Sequence, residues 1–288
     1  MKPPAQFIGL TILCLSLSAV CSVRAAEFDT EHLFAFSVGT DVGDPGEKEI
    51  EAAVGGRFGK SSGTFSALSS DLTLQYIPAR NLIVEFSAMG DSHRIERVPD
   101  LVDRNATTFG GASFAVTYRL LSRSTDGVGL AAFAEPHWTR IDEDSGAPTD
   151  GYGTDLVLAL DKEIVPDRVI GVLNVRFEPE FARSKDDGSW SRENTVGLGG
   201  ALMFRLSDNV FAGLETRYLR RYDAISFRDF AGQAFYFGPS VSIALSERAW
   251  LTFGWSRQIA GQSSSGNGPL DLINFDRQQA RLAIGVSF

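Results

Sequence analysis

The side chains in this sequence that could do acid-base, nucleophilic or metal chemistry are few and scattered. His32, His93 and His137 are its histidines, and no two have the i, i+4 spacing that sets a pair of ligands on one face. No metal site and no cofactor is expected. Asp142-Glu143-Asp144 and Asp186-Asp187-Gly188 offer oxygen ligands, but neither has the spacing of a calcium loop, and both read as solvated loop charge. Gly197-Leu198-Gly199-Gly200 lacks the Lys-Ser/Thr that follows a phosphate-cradling loop and reads as small interior residues. The chemical content lies instead in a dispersed set of charges of both signs: Glu49, Glu51, Arg57, Asp71, Glu85, Arg119, Glu135, Arg176, Glu178, Glu180, Arg205, Glu215, Arg217, Arg277 and Arg281.

What places those charges together is a period of two. From Val172 to Phe181, Leu173, Val175, Phe177 and Phe181 take one side, while Asn174, Arg176, Glu178 and Glu180 take the other, the signature of a pleated strand with one apolar and one wet face. Near the end of the chain Ala280, Leu282, Ile284, Val286 and Phe288 alternate with Gln279, Arg281, Gly285 and Ser287. By the same phase Ala134, Pro136 and Trp138 oppose Glu135, His137 and Thr139. Strands are expected at 48–59, 64–77, 81–92, 109–120, 128–140, 152–161, 168–183, 192–205, 210–222, 234–245, 249–260 and 275–288. Their connections alternate in length: short ones at Pro78-Ala79-Arg80, Ser207-Asp208-Asn209 and Ser246-Glu247-Arg248, long ones at Ser92 to Thr108, Asp142 to Gly151, Ser184 to Ser191, Asp223 to Gln233 and Gly261 to Asn274.

That alternation predicts an all-β fold, a transmembrane antiparallel β-barrel of about twelve strands with short periplasmic turns and longer outer loops. So wide a barrel cannot fill its interior with apolar side chains, so the apolar face points to lipid and the charges point inward. Phe58, Tyr76, Tyr118, Trp138, Tyr152, Phe181, Tyr218, Tyr222, Trp250 and Trp255 sit near strand ends, where aromatic girdles form. Leu33 to Val42 alternates too and reads either as a periplasmic or lumen-entering lead-in within residues 26–47 or as a further strand. Residues 48–288 are the expected barrel.

The first residues have the layout of a secretory leader, a basic start at Lys2, an apolar run from Phe7 to Val20 and a small-residue site around Val23-Arg24-Ala25. Residues 1–25 are read as a signal peptide, and both cysteines, Cys14 and Cys21, leave with it. Loss of Lys2 and Arg24 takes the formal charge from -9 to -11, which argues against a nucleic-acid partner. No later apolar run approaches the length of a spanning helix.

The terminal Arg281-Leu282-Ala283-Ile284-Gly285-Val286-Ser287-Phe288 resembles the closing strand of bacterial outer-membrane proteins. That resemblance implies an outer-membrane location, lipid as surroundings and recognition of Phe288 by the barrel-assembly machinery. Gly46-Glu47-Lys48-Glu49, Gly59-Lys60 and Gly63-Thr64-Phe65 resemble segments of uncharacterised proteobacterial barrels, and the strand layout is similar to that of transport barrels encoded with phenol-degradation pathways. The outer-membrane phospholipase pattern, a His with Ser-Asn-Gly two residues on, is not matched, since Trp138-Thr139-Arg140 follows His137.

The expected function is a channel for a small polar or amphipathic solute, lined by Glu85, Arg119, Glu135, Arg176, Glu178, Glu180, Arg205, Glu215, Arg217 and Arg281, with no catalytic residue. A structural or surface-interaction barrel with a braced lumen, and a membrane-embedded hydrolase, are the alternatives.

Overall fold

A computed structural model describes residues 28–288; the expected leader and both cysteines lie outside the described residues. The chain forms twelve strands: β1 (Lys48–Phe58), β2 (Thr64–Ala79), β3 (Leu82–Glu96), β4 (Arg104–Leu121), β5 (Gly129–Ile141), β6 (Pro148–Val165), β7 (Val169–Ser184), β8 (Trp190–Ser207), β9 (Val210–Tyr222), β10 (Phe230–Ala244), β11 (Ala249–Ser263) and β12 (Gln278–Ser287). One helical turn, α1 (Arg123–Asp126), lies between β4 and β5. Every strand pairs antiparallel with its chain neighbours, and β1 pairs with β12 from Glu49↔Ser287 to Phe58↔Gln278, closing the barrel. Closure leaves no open edge whose N–H and C=O groups would lack partners in hydrocarbon.

The two faces separate as the period of two requires. Leu173 is 63% exposed while its neighbour Asn174 is 2% exposed; the first faces outward among Leu72, Phe86, Val175 and Leu198, all exposed, and the second faces the interior. Strands run further into the long loops than expected, with β3 reaching Glu96, β4 starting at Arg104 and β6 at Pro148. Polar residues there continue the ladder in water, where no apolar alternation is needed to keep register.

Two girdle assignments are corrected. Trp250 faces inward, its ring stacked on His32 at 4.1 Å and its Nε1 donating to Glu49. Tyr222 is buried against the rings of Phe227, in the loop that follows it, and of Phe230, at the start of β10. An aromatic at a strand end suits either environment, so position alone does not separate them.

The segment before β1 joins no ladder. Phe28, Leu33 and Phe34 form a buried cluster with Ile170, Val172, Ala201, Met203 and Phe211, residues that face the interior near the short-turn end of β7, β8 and β9. With β1 and β12 already paired, a thirteenth strand has no edge to join, and the alternating Phe34, Phe36 and Val38 belong to a plug.

Candidate functional site, a charged lumen

The plug is held by side chains of the wall. Glu215 on β9 accepts hydrogen bonds from the backbone N–H of Ala35 (2.7 Å) and Phe36 (3.1 Å) and from the Ser37 hydroxyl (2.9 Å). Asn174 on β7 clasps Val38 from both sides, accepting from its N–H at 2.7 Å and donating to its carbonyl at 2.9 Å. Asp161 on β6 accepts from the hydroxyls of Thr30 (2.8 Å) and Thr40 (2.7 Å) and from Arg123 of α1 (2.8 Å), and Arg123 also pairs with Asp41 at 2.6 Å. Thr252 donates to the carbonyl of His32. An extended segment with no strand partner must satisfy its backbone groups somehow, and here carboxylates and amides of the barrel do it. Gly254 makes room: a Cβ there would stand 2.4 Å from that of Ala35 and 2.9 Å from the Phe36 ring.

The long-loop end is narrowed by the turn between β5 and β6. The Asp144 carboxylate reaches Arg221 at 2.7 Å, Arg57 at 3.2 Å and Lys60 at 3.6 Å, and the turn's backbone carbonyls accept from Arg57, Arg104 and His93. Gly146 has φ +63, and a Cβ there would press on His93 and Arg104 at 2.8 Å, so only glycine lets the turn lie on the wall. This corrects the reading of Asp142-Glu143-Asp144 as solvated charge. Burial opposes ionisation, but Lys60, Arg221 and Arg57 hold the Asp144 carboxyl far below the usual carboxylate range.

Two cavities remain between these constrictions, of about 440 Å³ toward the plug and about 320 Å³ toward the loops. Phe36, Arg176, Arg217 and Arg281 line both. The larger cavity is also lined by Asp71, Glu85 and Glu135, on β2, β3 and β5, and by Asp155 on β6, the strand next to the one that carries Arg176. Among the described residues none of these four carboxylates has a cationic partner within 4 Å. In the larger cavity the unpaired carboxylates come from β2, β3, β5 and β6, and the arginines from β7, β9 and β12.

Residues 26–288 match the model of a family of unknown function, DUF6662. The chain belongs to this family. No curated protein matches it. Among solved structures, the COG4313 outer membrane channel from Pseudomonas putida F1 aligns with a TM-score of 0.60 at 13% identity, over 86% of this chain and 98% of that one. The NanC porin aligns at 0.50 and 10% identity over 82% and 98%. The translocator domain of the autotransporter NalP from Neisseria meningitidis aligns at 0.50 and 12% identity over 86% and 91%. At these identities the likeness is one of fold. With its closed ladder and exposed apolar band, this DUF6662 chain is an outer-membrane β-barrel.

The charged residues picked out by phase fall into two groups. Glu85, Glu135, Arg176, Arg217 and Arg281 line the larger cavity, and Glu178 and Glu180 the smaller one. Arg119, Arg205 and Glu215 line neither: Arg119 donates to Asn81 and to the carbonyl of Val42, Arg205 lies over the rings of Phe28 and Phe211, and Glu215 holds the plug. The plug fills the space that these three side chains would otherwise open onto. His137 faces the interior with Nε2 3.6 Å from Glu180. Phe288 is 62% exposed, its N–H bonded to the Lys48 carbonyl.

The DUF6662 barrel also assembles a trio that residue spacing hides, His32, Glu49 and Glu51, with one donor atom each within 4.8 Å. Glu51 already takes Arg281 at 2.8 Å, and Glu49 Oε2 accepts from Trp250 and Ser287 besides facing His32 Nε2 at 3.3 Å. The trio therefore works as an ion-pair latch between plug and wall.

The latch should respond to pH. Burial alone would lower the His32 value, but Glu49, Glu31 and Asp29 carry it from 6.5 up to about 10. Burial pushes Glu31 from 4.5 up to about 8, against the pull of His32. Both groups bind protons more tightly when the plug is docked, so their contribution to docking is greatest on the acid side of their range, as long as Glu49 stays ionised to receive His32. That contribution loses strength as pH rises from 4.5 through about 8 for Glu31, and from 6.5 through about 10 for His32. Efflux of a small solute from vesicles holding the barrel should therefore increase over that range, and H32Q should flatten its upper part. Efflux that falls with rising pH would contradict the latch.

Proposed function

We propose that this barrel is a passive outer-membrane channel for small polar solutes, with a preference for cations. The observation that carries the reading is the acidic wall of the larger cavity. A lumen braced shut would pair its charges across strands, as Arg281 of β12 pairs with Glu51 of β1, whereas Asp71, Glu85, Glu135 and Asp155 face the cavity with no cation within 4 Å among the described residues. Unpaired carboxylates are costly except where water or a passing cation solvates them. Rings of carboxylates of this kind favour cations in water-filled pores.

The zero-current potential across a planar bilayer holding the barrel in a potassium chloride gradient tests this. The sign for cation preference is expected, and the combined variant D71N/E85Q/E135Q/D155N should move the potential toward zero. Anion preference in the unaltered barrel, or no change in the variant, would overturn the assignment of the wall.

A further inference from the structure

Arg217 is the one arginine lining both cavities that has no carboxylate within 4 Å among the described residues. Arg176 pairs with Glu178 and Arg281 with Glu51, each at 2.8 Å. The Nη2 of Arg217 instead donates to two neutral acceptors, Ser256 Oγ at 3.0 Å and Gln279 Oε1 at 2.6 Å. Its guanidinium carbon lies 4.0 Å from the centre of the Phe36 ring and 5.4 Å from that of Tyr236. The head is therefore fixed in place by neutral groups and aromatic faces, and its nearest carboxylates, Glu215 and Glu178 among them, lie beyond ion-pair distance.

The local sequence makes space for this arrangement. Gly197 and Gly199, on the inner face of β8, pair with Arg176 on β7 and Arg217 on β9. A Cβ at Gly197 would collide with the Arg176 stem at 2.6 Å, and one at Gly199 would fill the space beside the Arg217 stem at 3.8 Å. Gly197 is thus explained by the Arg176 stem that lies over it, whereas the space at Gly199 would admit a Cβ at ordinary contact distance.

Around the same cavity stand four carboxylates, Asp71, Glu85, Glu135 and Asp155, that likewise have no ion pair within 4 Å among the described residues. A simple anion would satisfy Arg217 and be repelled by the four carboxylates; a simple cation would leave the Arg217 charge unmatched. The chemistry that answers both is a compact molecule with one carboxylate and more than one ammonium-type group. A cavity of about 440 Å³ is within the range of small-molecule sites.

From these observations we infer that the larger cavity is a binding site for a cationic zwitterion of the basic amino-acid type. Arg217 takes the carboxylate, and the wall of Asp71, Glu85, Glu135 and Asp155 takes the amines. This rests on the channel reading only for its use in transport; the site itself is a matter of binding.

Isothermal titration of the detergent-folded barrel with L-lysine, and with 1,5-diaminopentane as the same diamine lacking a carboxylate, tests it. L-lysine should bind, and R217Q should weaken lysine by about tenfold, the loss of one charge-assisted contact, while leaving the diamine unchanged. R217K should restore part of the lysine affinity. Should R217Q not fold, E135Q and D155N report from the carboxylates and should weaken both compounds. No lysine binding to the unaltered barrel, or equal loss of both compounds in R217Q, would overturn the site. Lysine binding with this pattern in a barrel that passes no current would leave the site standing and remove the channel; potassium current without lysine binding would do the reverse.

Discussion

Replacing Glu215 with alanine is expected to release the plug from the barrel. This carboxylate, 2% exposed, accepts from two backbone N–H groups and one hydroxyl of the segment. Truncation leaves those donors facing a small void, and an orphaned buried donor costs about 1–3 kcal/mol. Two orphaned backbone donors together are a large cost for a short segment that joins no ladder. Glu215→Ala should therefore open residues 28–43 to proteases that spare them in the unaltered barrel and raise vesicle permeability severalfold. Glu215→Gln keeps one acceptor and should fall between. Continued protection of the segment in the alanine variant would mean that Asp161, Asn174 and the buried cluster around Phe28 and Phe34 hold it unaided.

Asp144→Asn is expected to have the second large effect, at the opposite end of the lumen. Arg57, Lys60 and Arg221 converge on this one carboxylate, and Lys60 is only 3% exposed at its side chain. Removing one member of a buried ion pair costs about 3–5 kcal/mol; with Arg57 and Asp144 about a quarter exposed, the lower end applies. Asp276 still compensates Lys60 at 3.1 Å, so the barrel should fold, melt at a lower temperature and lose the fixed position of residues 142–147. The mouth would then carry three cations without their shared anion, and cation preference should decrease. An unchanged melting temperature with unchanged selectivity would show that the backbone bonds to His93 and Arg104 hold the turn without the charge.

How far the sequence speaks for this fold depends on the range of each interaction. Strand period and the direction of each inner face are local, so Asn174, Arg176 and Glu178 could be placed inside from their neighbours alone, and closure followed from an even number of strands with alternating connections. The plug was legible only as one of two readings, a lead-in that enters the lumen or a further strand. Phe34, Phe36 and Val38 alternate as a strand would, and what decides their fate is Glu215 and Asn174, residues 179 and 136 positions away from Phe36 and Val38. The Asp144 clamp was hidden for the same reason, since Arg221 lies 77 positions away. Glu215 and Arg217 share a face two residues apart, yet one holds the plug and the other borders open space; their phase is identical, and only the course of the segment before β1 separates them.

The central claim is that a conducting lumen runs through this barrel and that residues 28–43 obstruct its short-turn end. Single-channel recording of the folded barrel with and without those residues in planar bilayers tests it most directly. The account predicts discrete current steps in both, small and frequently interrupted in the unaltered barrel, larger and long-lived in the shortened one. A shortened barrel that folds, inserts and stays silent would contradict it.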